Sequence, residues 1–227
     1  MLLGGQRSCC NWDEDSVTMA VEAARNCRTG RGRSSVESLA LASTTLPFAD
    51  RSNAVVVATA LDLDESTTVA DVTSCQRAGT SALLAALQRP ASPGDALVVA
   101  SDRRLAKPGS EQEMTYGHGA AALLVGHGPG LLAELLGHAA TMADFVDQYR
   151  ADGMKFDYVL EERWVRDAGY LQIVPRTIAR ALEHAGIKAA QVRHFIAQGP
   201  RRFALDSAKA TGIPVEAVVD DLHANCG

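Results

Sequence analysis

Cys75 is the residue of this 227-residue chain whose neighbours best suit covalent chemistry. It follows Val69-Ala-Asp-Val-Thr73, a short run that suits a buried strand, and precedes an Ala- and Leu-rich stretch, residues 76–87, with helical character. Ala78, Ala82, Ala85 and Ala86 would let that helix pack closely. A cysteine at such a join faces the free N–H groups of the helix's first turn. The positive end of the helix dipole favours thiolate over thiol, and the same N–H groups can hold an oxyanion forming on an attached acyl group. A small buried cysteine filling a tight strand–helix contact fits this stretch equally well.

The elements that must position Cys75 are legible as apolar runs. An N-cap at Asn11, with Glu14 closing a capping box, opens a helix to about residue 28. Residues 29–35 form a polar turn, 36–43 a strand ended by Pro47, and 53–61 a short, nearly all-apolar helix. Strands follow at 69–73, 95–101 and 119–126, the last led by glycine and buried, with a long polar loop over 102–116. The strands are continuous apolar runs, as in a mainly parallel sheet covered on both faces.

Residues 138–170 break the pattern. They hold most of the aromatics and a series of acids, and suggest an inserted helical cap or a dimer-facing segment. Pro175 then opens a helix to about 185. A strand is expected at 192–197, a helix at 203–211 stopped by Gly212, and a short helix at 215–222.

Composition excludes several function classes. The net charge is −5 with both signs interspersed, so no nucleic-acid surface is implied. No run approaches the ~20 apolar residues of a membrane span, and Met1 opens no secretory signal pattern. The five cysteines, Cys9, Cys10, Cys27, Cys75 and Cys226, are odd in number and form no CxxC pair, which argues against a disulfide framework and a zinc site and fits a reducing cytoplasm.

Several segments come in one order: Asn-Trp-Asp-Glu-Asp-Ser (11–16), Thr44-Thr-Leu-Pro-Phe-Ala-Asp50, Ser74-Cys-Gln-Arg-Ala-Gly-Thr-Ser-Ala-Leu83, Gly117-His-Gly-Ala-Ala-Ala-Leu-Leu-Val125, Val192-Arg-His-Phe-Ile196 and His223-Ala-Asn-Cys-Gly227. Together they resemble the hydroxymethylglutaryl-CoA synthase-like branch of the thiolase superfamily, related also to β-ketoacyl-ACP synthase III. The resemblance implies an α/β, thiolase-like αβαβα layered fold, here lacking the first strand and the last strands. It implies an N-terminal half over 1–130 and an incomplete C-terminal half over 131–227 carrying the insert 138–170. It also implies Cys75 as the acylated nucleophile, Thr44, Gly79 and Gly119 near the substrate, acyl-CoA as substrate without a permanent cofactor, and a homodimer paired through an edge strand near 95–101. It leaves room for a larger acyltransferase complex as a further partner.

The departures are specific. Alignment of Phe195-Ile-Ala-Gln-Gly-Pro200 places Gln198 where the family carries a histidine, and glutamine takes no proton near neutral pH. Ser43-Thr44-Thr45 stands where the synthases carry a glutamate.

Arg103, Arg104 and Lys107 could meet coenzyme A phosphates, or form a solvated loop. His118 suits a structural turn between two glycines, and His194 a satisfied core histidine on an apolar strand. The acids Asp144, Asp147, Asp152, Asp157, Glu161 and Glu162 match no calcium loop and suit a solvated helical face, so no metal is expected. The resulting expectation is an acyl-CoA-dependent, hydroxymethylglutaryl-CoA synthase-like condensing acyltransferase in the cytoplasm. It would form an acyl-thioester on Cys75 before carbon–carbon bond formation. The alternative is a truncated or degenerate, non-catalytic thiolase-fold subunit that binds acyl-CoA or a partner protein.

Overall fold

The computed structural model of the chain describes residues 6–30, 36–200 and 202–219. Most of the expected turn at 29–35 and all of the segment around His223 and Cys226 lie outside these residues. The chain divides into two compact units, one built on Met1–Arg104 and Met114–Ala133, the other on Leu105–Glu113 and Glu134–Ala224.

The first unit is a four-stranded sheet in the order β2-β1-β3-β4, with β1 Val36–Ala42, β2 Thr68–Val72, β3 Asp95–Asp102 and β4 Gly119–Val125. β1 pairs in parallel with both β2 and β3, and β4 closes the sheet antiparallel to β3. Alternation along β1 and β3 sorts side chains by size. Leu39, Leu41, Leu97 and Val99 lie on one face with Val17, Ala20 and Ala24 of α1 (Ser16–Cys27) and Ala54, Val57 and Leu61 of α2 (Asn53–Ala60) and its end. Ala42 and Val98 lie on the other with Ala78 and Ala82 of α3 (Ala78–Leu87). The small side chains of this second face let α3 approach. A Cβ on Gly79 would stand 3.2 Å from the Cβ of Ala100.

Several expectations are corrected here. α1 starts at Ser16, not after Asn11. Its cap is Asp15, whose carboxylate accepts from the Val17 and Thr18 N–H groups, while Asn11 and Glu14 close a separate turn. β3 is an inner strand with partners on both sides, so its edge is not open for pairing across a two-fold axis. β4 is not buried: it lies at the sheet's edge with alternating exposure, Leu123 outward. The long polar loop contains a short helix, α4, Glu111–Thr115.

In the second unit the 138–170 segment is not a helical cap. It forms a two-stranded hairpin of β5 (Gln148–Tyr149) and β6 (Tyr158–Val159), with Tyr149 and Tyr158 side by side. The acids are therefore not on one helical face, and the Asp157 side chain is buried beside Arg150 at 3.6 Å. α5 (Glu162–Trp164) and a π-helical turn (Val165–Tyr170) lead straight into α6, Leu171–Ala185. Pro175 thus lies inside α6, not at its start. The carbonyl its ring would crowd is that of Leu171, at the seam where the π turn ends, and a wide turn there relieves the missing donor. Residues 192–197 make no strand, only a bridge between Phe195 and Val218, and His194 is exposed, not in a core. α7 (Phe203–Thr211) ends as expected at Gly212 in the left-handed conformation, and a 3-10 turn, Val215–Ala217, replaces the expected last helix. One four-stranded sheet and one hairpin are the sheets among the described residues.

Asp71, near the end of β2, holds the start of α2. Its carboxylate accepts from the N–H groups of Asn53 (2.8 Å) and Ala54 (2.6 Å) and from Asn53 Nδ2 (3.0 Å). Asn53 is buried and also spans back to the Phe48 backbone. Charge-assisted bonds of this kind lead us to expect Asp71→Ala to cost about 2–4 kcal/mol in urea denaturation, and Asp71→Asn about half as much. A loss below 0.5 kcal/mol, within the range of ordinary surface substitutions, would contradict this role.

Candidate functional site

The carboxyl ends of the parallel strands β1, β2 and β3 gather at one end of the first unit, the usual position of a ligand crevice in parallel sheets. Three segments emerge there: Ser43–Thr45 after β1, Ser74–Cys75 after β2, and Asp102 to Arg104 at the end of β3.

α3 begins two residues later than expected. Arg77 is its N-cap and supplies no side-chain bond, so Cys75 lies in the turn leading into the helix, its carbonyl accepting from the Ala78 N–H at 3.0 Å. Cys75 is exposed, which removes the reading of a buried packing cysteine. Ser74, directly before it, has φ +73 in the left-handed region, a conformation that costs a non-glycine residue roughly 1–2 kcal/mol. Strain of this kind clusters where a side chain must be held in place.

Beside this turn, Asp102 Oδ1 accepts four hydrogen bonds: from Ser43 Oγ (3.1 Å), Thr44 N (2.8 Å), Thr44 Oγ1 (3.0 Å) and Thr45 Oγ1 (2.9 Å). Thr44 Oγ1 also accepts from Arg104 Nη1 at 3.3 Å, and Thr45 Oγ1 from the Arg103 N–H at 2.9 Å. Sequence reasoning missed Asp102. Its one signal was an acid ending an otherwise apolar strand, and nothing in the sequence said which hydroxyls it would meet.

The remaining candidates separate. Thr44 and Arg103 belong to this network; Arg103 Nε is buried without a partner among the described residues. Gly79 packs α3 on β3, whereas Gly119, opposite Asp102 in the sheet register, has open space where a Cβ would be. Lys107 and Gln198 belong to the second unit. Lys107 is exposed in a turn whose carbonyl accepts from the N–H and hydroxyl of Ser110, and Gln198 is exposed in an irregular stretch after Phe195. No group of three or more potential metal ligands occurs among the described residues.

Asp102→Ala should loosen the 43–45 turn, costing about 2–4 kcal/mol and speeding exchange of the Thr44 and Thr45 amides ahead of those of β3. Unchanged protection of Thr44 would show that the turn does not depend on Asp102.

No family model matches the chain. Its sequence relatives include hydroxymethylglutaryl-CoA synthases of Aeropyrum pernix, 29% identical over 211 residues, and Pyrococcus furiosus, 27% identical over 216. The alignments cover 91% and 92% of this chain but only 58% and 61% of those proteins. Similar solved structures are OleA of Xanthomonas campestris with lauric acid and lauroyl-CoA (TM-score 0.82, 19% identity, 97% of this chain and 72% of that one), 3-oxoacyl-(acyl carrier protein) synthase III of Pseudomonas aeruginosa (TM-score 0.79, 20%, 95% and 70%) and a hydroxymethylglutaryl-CoA synthase complexed with CoA (TM-score 0.71, 21%, 89% and 53%). The chain has the thiolase-like fold, and its sequence relatives above are hydroxymethylglutaryl-CoA synthases of which it spans about 60% of the length.

Proposed function

We propose that this chain is the Cys75-bearing part of an acyl-CoA-dependent, hydroxymethylglutaryl-CoA synthase-like acyltransferase. The observation that carries the reading is the join of β2 to α3. An exposed cysteine follows a residue held in a left-handed conformation and precedes a helix start that no side chain caps. The first N–H groups of any helix lack intrahelical acceptors, so the start of α3 offers donors to an oxyanion formed nearby.

The chemistry is a thioester exchange. The Cys75 sulfur, as thiolate, attacks the acyl carbonyl and a new C–S bond forms. Collapse of the tetrahedral intermediate breaks the bond to coenzyme A, whose thiolate leaves and takes up a proton. Carbon–carbon bond formation is a second step that needs a group to remove a proton from a carbon next to a thioester carbonyl. Neither Gln198 nor Thr44 takes a proton near neutrality, and the Thr44 hydroxyl is already committed to Asp102. The reading is therefore acylation with little or no condensation by the chain as given.

Gln198, Thr44 and the partial span of the relatives favour the second reading, a subunit that holds acyl-CoA or a partner protein without turnover. We further propose a homodimer through the outer edge of β2, in place of the inner strand β3, and the cytoplasm as compartment, on the four described cysteines being free. Participation in a larger acyltransferase complex is part of the same proposal. No helix among the described residues is long and apolar enough to cross a membrane.

Incubation of the folded chain with acetyl-CoA should leave one acetyl group on Cys75 by peptide mass mapping. The adduct should be absent in Cys75→Ala of unchanged circular dichroism. Folded protein that gains no adduct from any short acyl-CoA, yet retains the nucleotide in equilibrium dialysis, would be the binding subunit instead.

A further inference from the structure

His118 fastens the segment before α1 to the sheet. Its backbone N–H donates to the Ser8 carbonyl at 2.9 Å, and its carbonyl accepts from Ser8 Oγ at 2.5 Å. Its ring Nδ1 accepts from the Cys10 N–H at 3.3 Å. The fastening lies just before Gly119, which stands opposite Asp102 in the register of β3 and β4. It is therefore at the sheet end that carries the Ser43–Thr45 turn and Cys75.

We propose that the His118 ring is a pH-sensitive clasp, which holds the Cys10 backbone against the start of β4 while it is neutral and lets it go when Nδ1 is protonated, the backbone bonds to Ser8 remaining. The reason is donor bookkeeping. A neutral imidazole with a bare Nδ1 can accept from Cys10, whereas an imidazolium carries hydrogens on both nitrogens and would point one at the Cys10 N–H.

The charges around the ring act in the same direction. Burial, as the largest effect, and the positive charges of Arg103 and Arg7 hold its pKa below the ordinary 6.5, against a hydrogen bond to the Arg104 backbone that favours the protonated ring. The acids of the neighbouring segments are engaged elsewhere. The Glu14 carboxylate accepts from the Asn11 N–H at 2.6 Å, Asp15 caps α1, and Asp102 holds the 43–45 turn. Cys10 Sγ faces the Glu14 carbonyl at 3.7 Å, and Arg104 lies over the Tyr116 ring, 5.9 Å from its centre. Because the folded pKa is lowered, the clasp is complete at pH values above about 6.5 and is lost as the pH falls from there through the folded value.

The test is hydrogen–deuterium exchange of a peptide covering residues 8–11, corrected for the intrinsic pH dependence of exchange, between pH 8 and pH 5. In the wild-type chain exchange should become about fivefold faster on acidification, as the loss of one ordinary hydrogen bond implies, with a midpoint below 6.5. His118→Asn retains an acceptor near the Nδ1 position without a titrating group, and should stay protected at pH 5. His118→Ala should lose the protection of the Cys10 amide at both pH values. Exchange of β3 amides reports global folding in every sample, so a variant that fails to fold is recognised and the comparison of wild type with His118→Asn decides. Equal wild-type protection at pH 8 and 5, or the same acid step in His118→Asn, would overturn the clasp.

Discussion

The structure of the first unit depends on one carboxylate. Parallel strands deliver their chains to the same end of the sheet, where backbone groups no longer have a neighbouring strand to pair with. At that end Asp102, the last residue of β3, accepts from three hydroxyls and one N–H of the turn that leaves β1. Every bond in the set ends on the same acceptor atom, Oδ1. It fixes the direction in which the chain leaves β1, and hence where Leu46 and Pro47 lead it toward α2. Asp71 repeats the device on β2, with the first N–H groups of α2 as donors. Two carboxylates thus do at the sheet's end what ladder hydrogen bonds do within it.

The direct pairing of β1 with β3 sets the second constraint. Both strands are buried on both faces, and the register of the two alternates leucine and valine toward α1 and α2 with alanine and valine toward α3. One face therefore takes bulk and the other takes close approach. Gly79 against Ala100 marks how near α3 comes. The turn that carries Cys75 joins this tightly seated helix to β2. The left-handed Ser74 is the local cost of making that turn in so few residues.

What was legible in the sequence follows from what apolar patterning records. β1, β2, β3, α2 and α7 stood out because buried strands and helices are continuous apolar runs ended by Pro, Gly or a capping residue, and their bounds fell within a few residues of expectation. Patterning records neither edges nor partners. β4 has the composition of a buried strand, yet alternates in exposure because no further strand follows it among the described residues. The resemblance, not the patterning, put β3 at an edge, and it lies inside. At the start of α1 two acid–polar pairs competed for the cap, and Asp15 with Thr18 prevailed over Asn11 with Glu14. Aromatic residues from 145 to 170 carried no period because they fill a hairpin and a π-helical turn, whose spacing matches neither 3.6 nor 2. In the candidate site Cys75 was visible from its place between two elements. Asp102 was not, since its importance lies in contacts some sixty residues apart in sequence.

The polar groups around the Cys75 turn bear on which half of a condensation the unit suits. Accepting an acyl group asks for an exposed sulfur and donors for an oxyanion, both of which the start of α3 supports. Forming a carbon–carbon bond asks in addition for an acceptor of protons that is not already saturated. Asp102 is the carboxylate at this end of the sheet with the most partners, and its Oδ1 is fully occupied in holding the 43–45 turn. Thr44 is held from two sides, as donor to Asp102 and acceptor from Arg104, and is no freer. The hydrogen bonding at this end of the sheet occupies the Thr44 hydroxyl and Asp102 Oδ1, and neither Thr44 nor Gln198 takes a proton near neutrality, which is the reason for separating acylation from condensation in the proposed function.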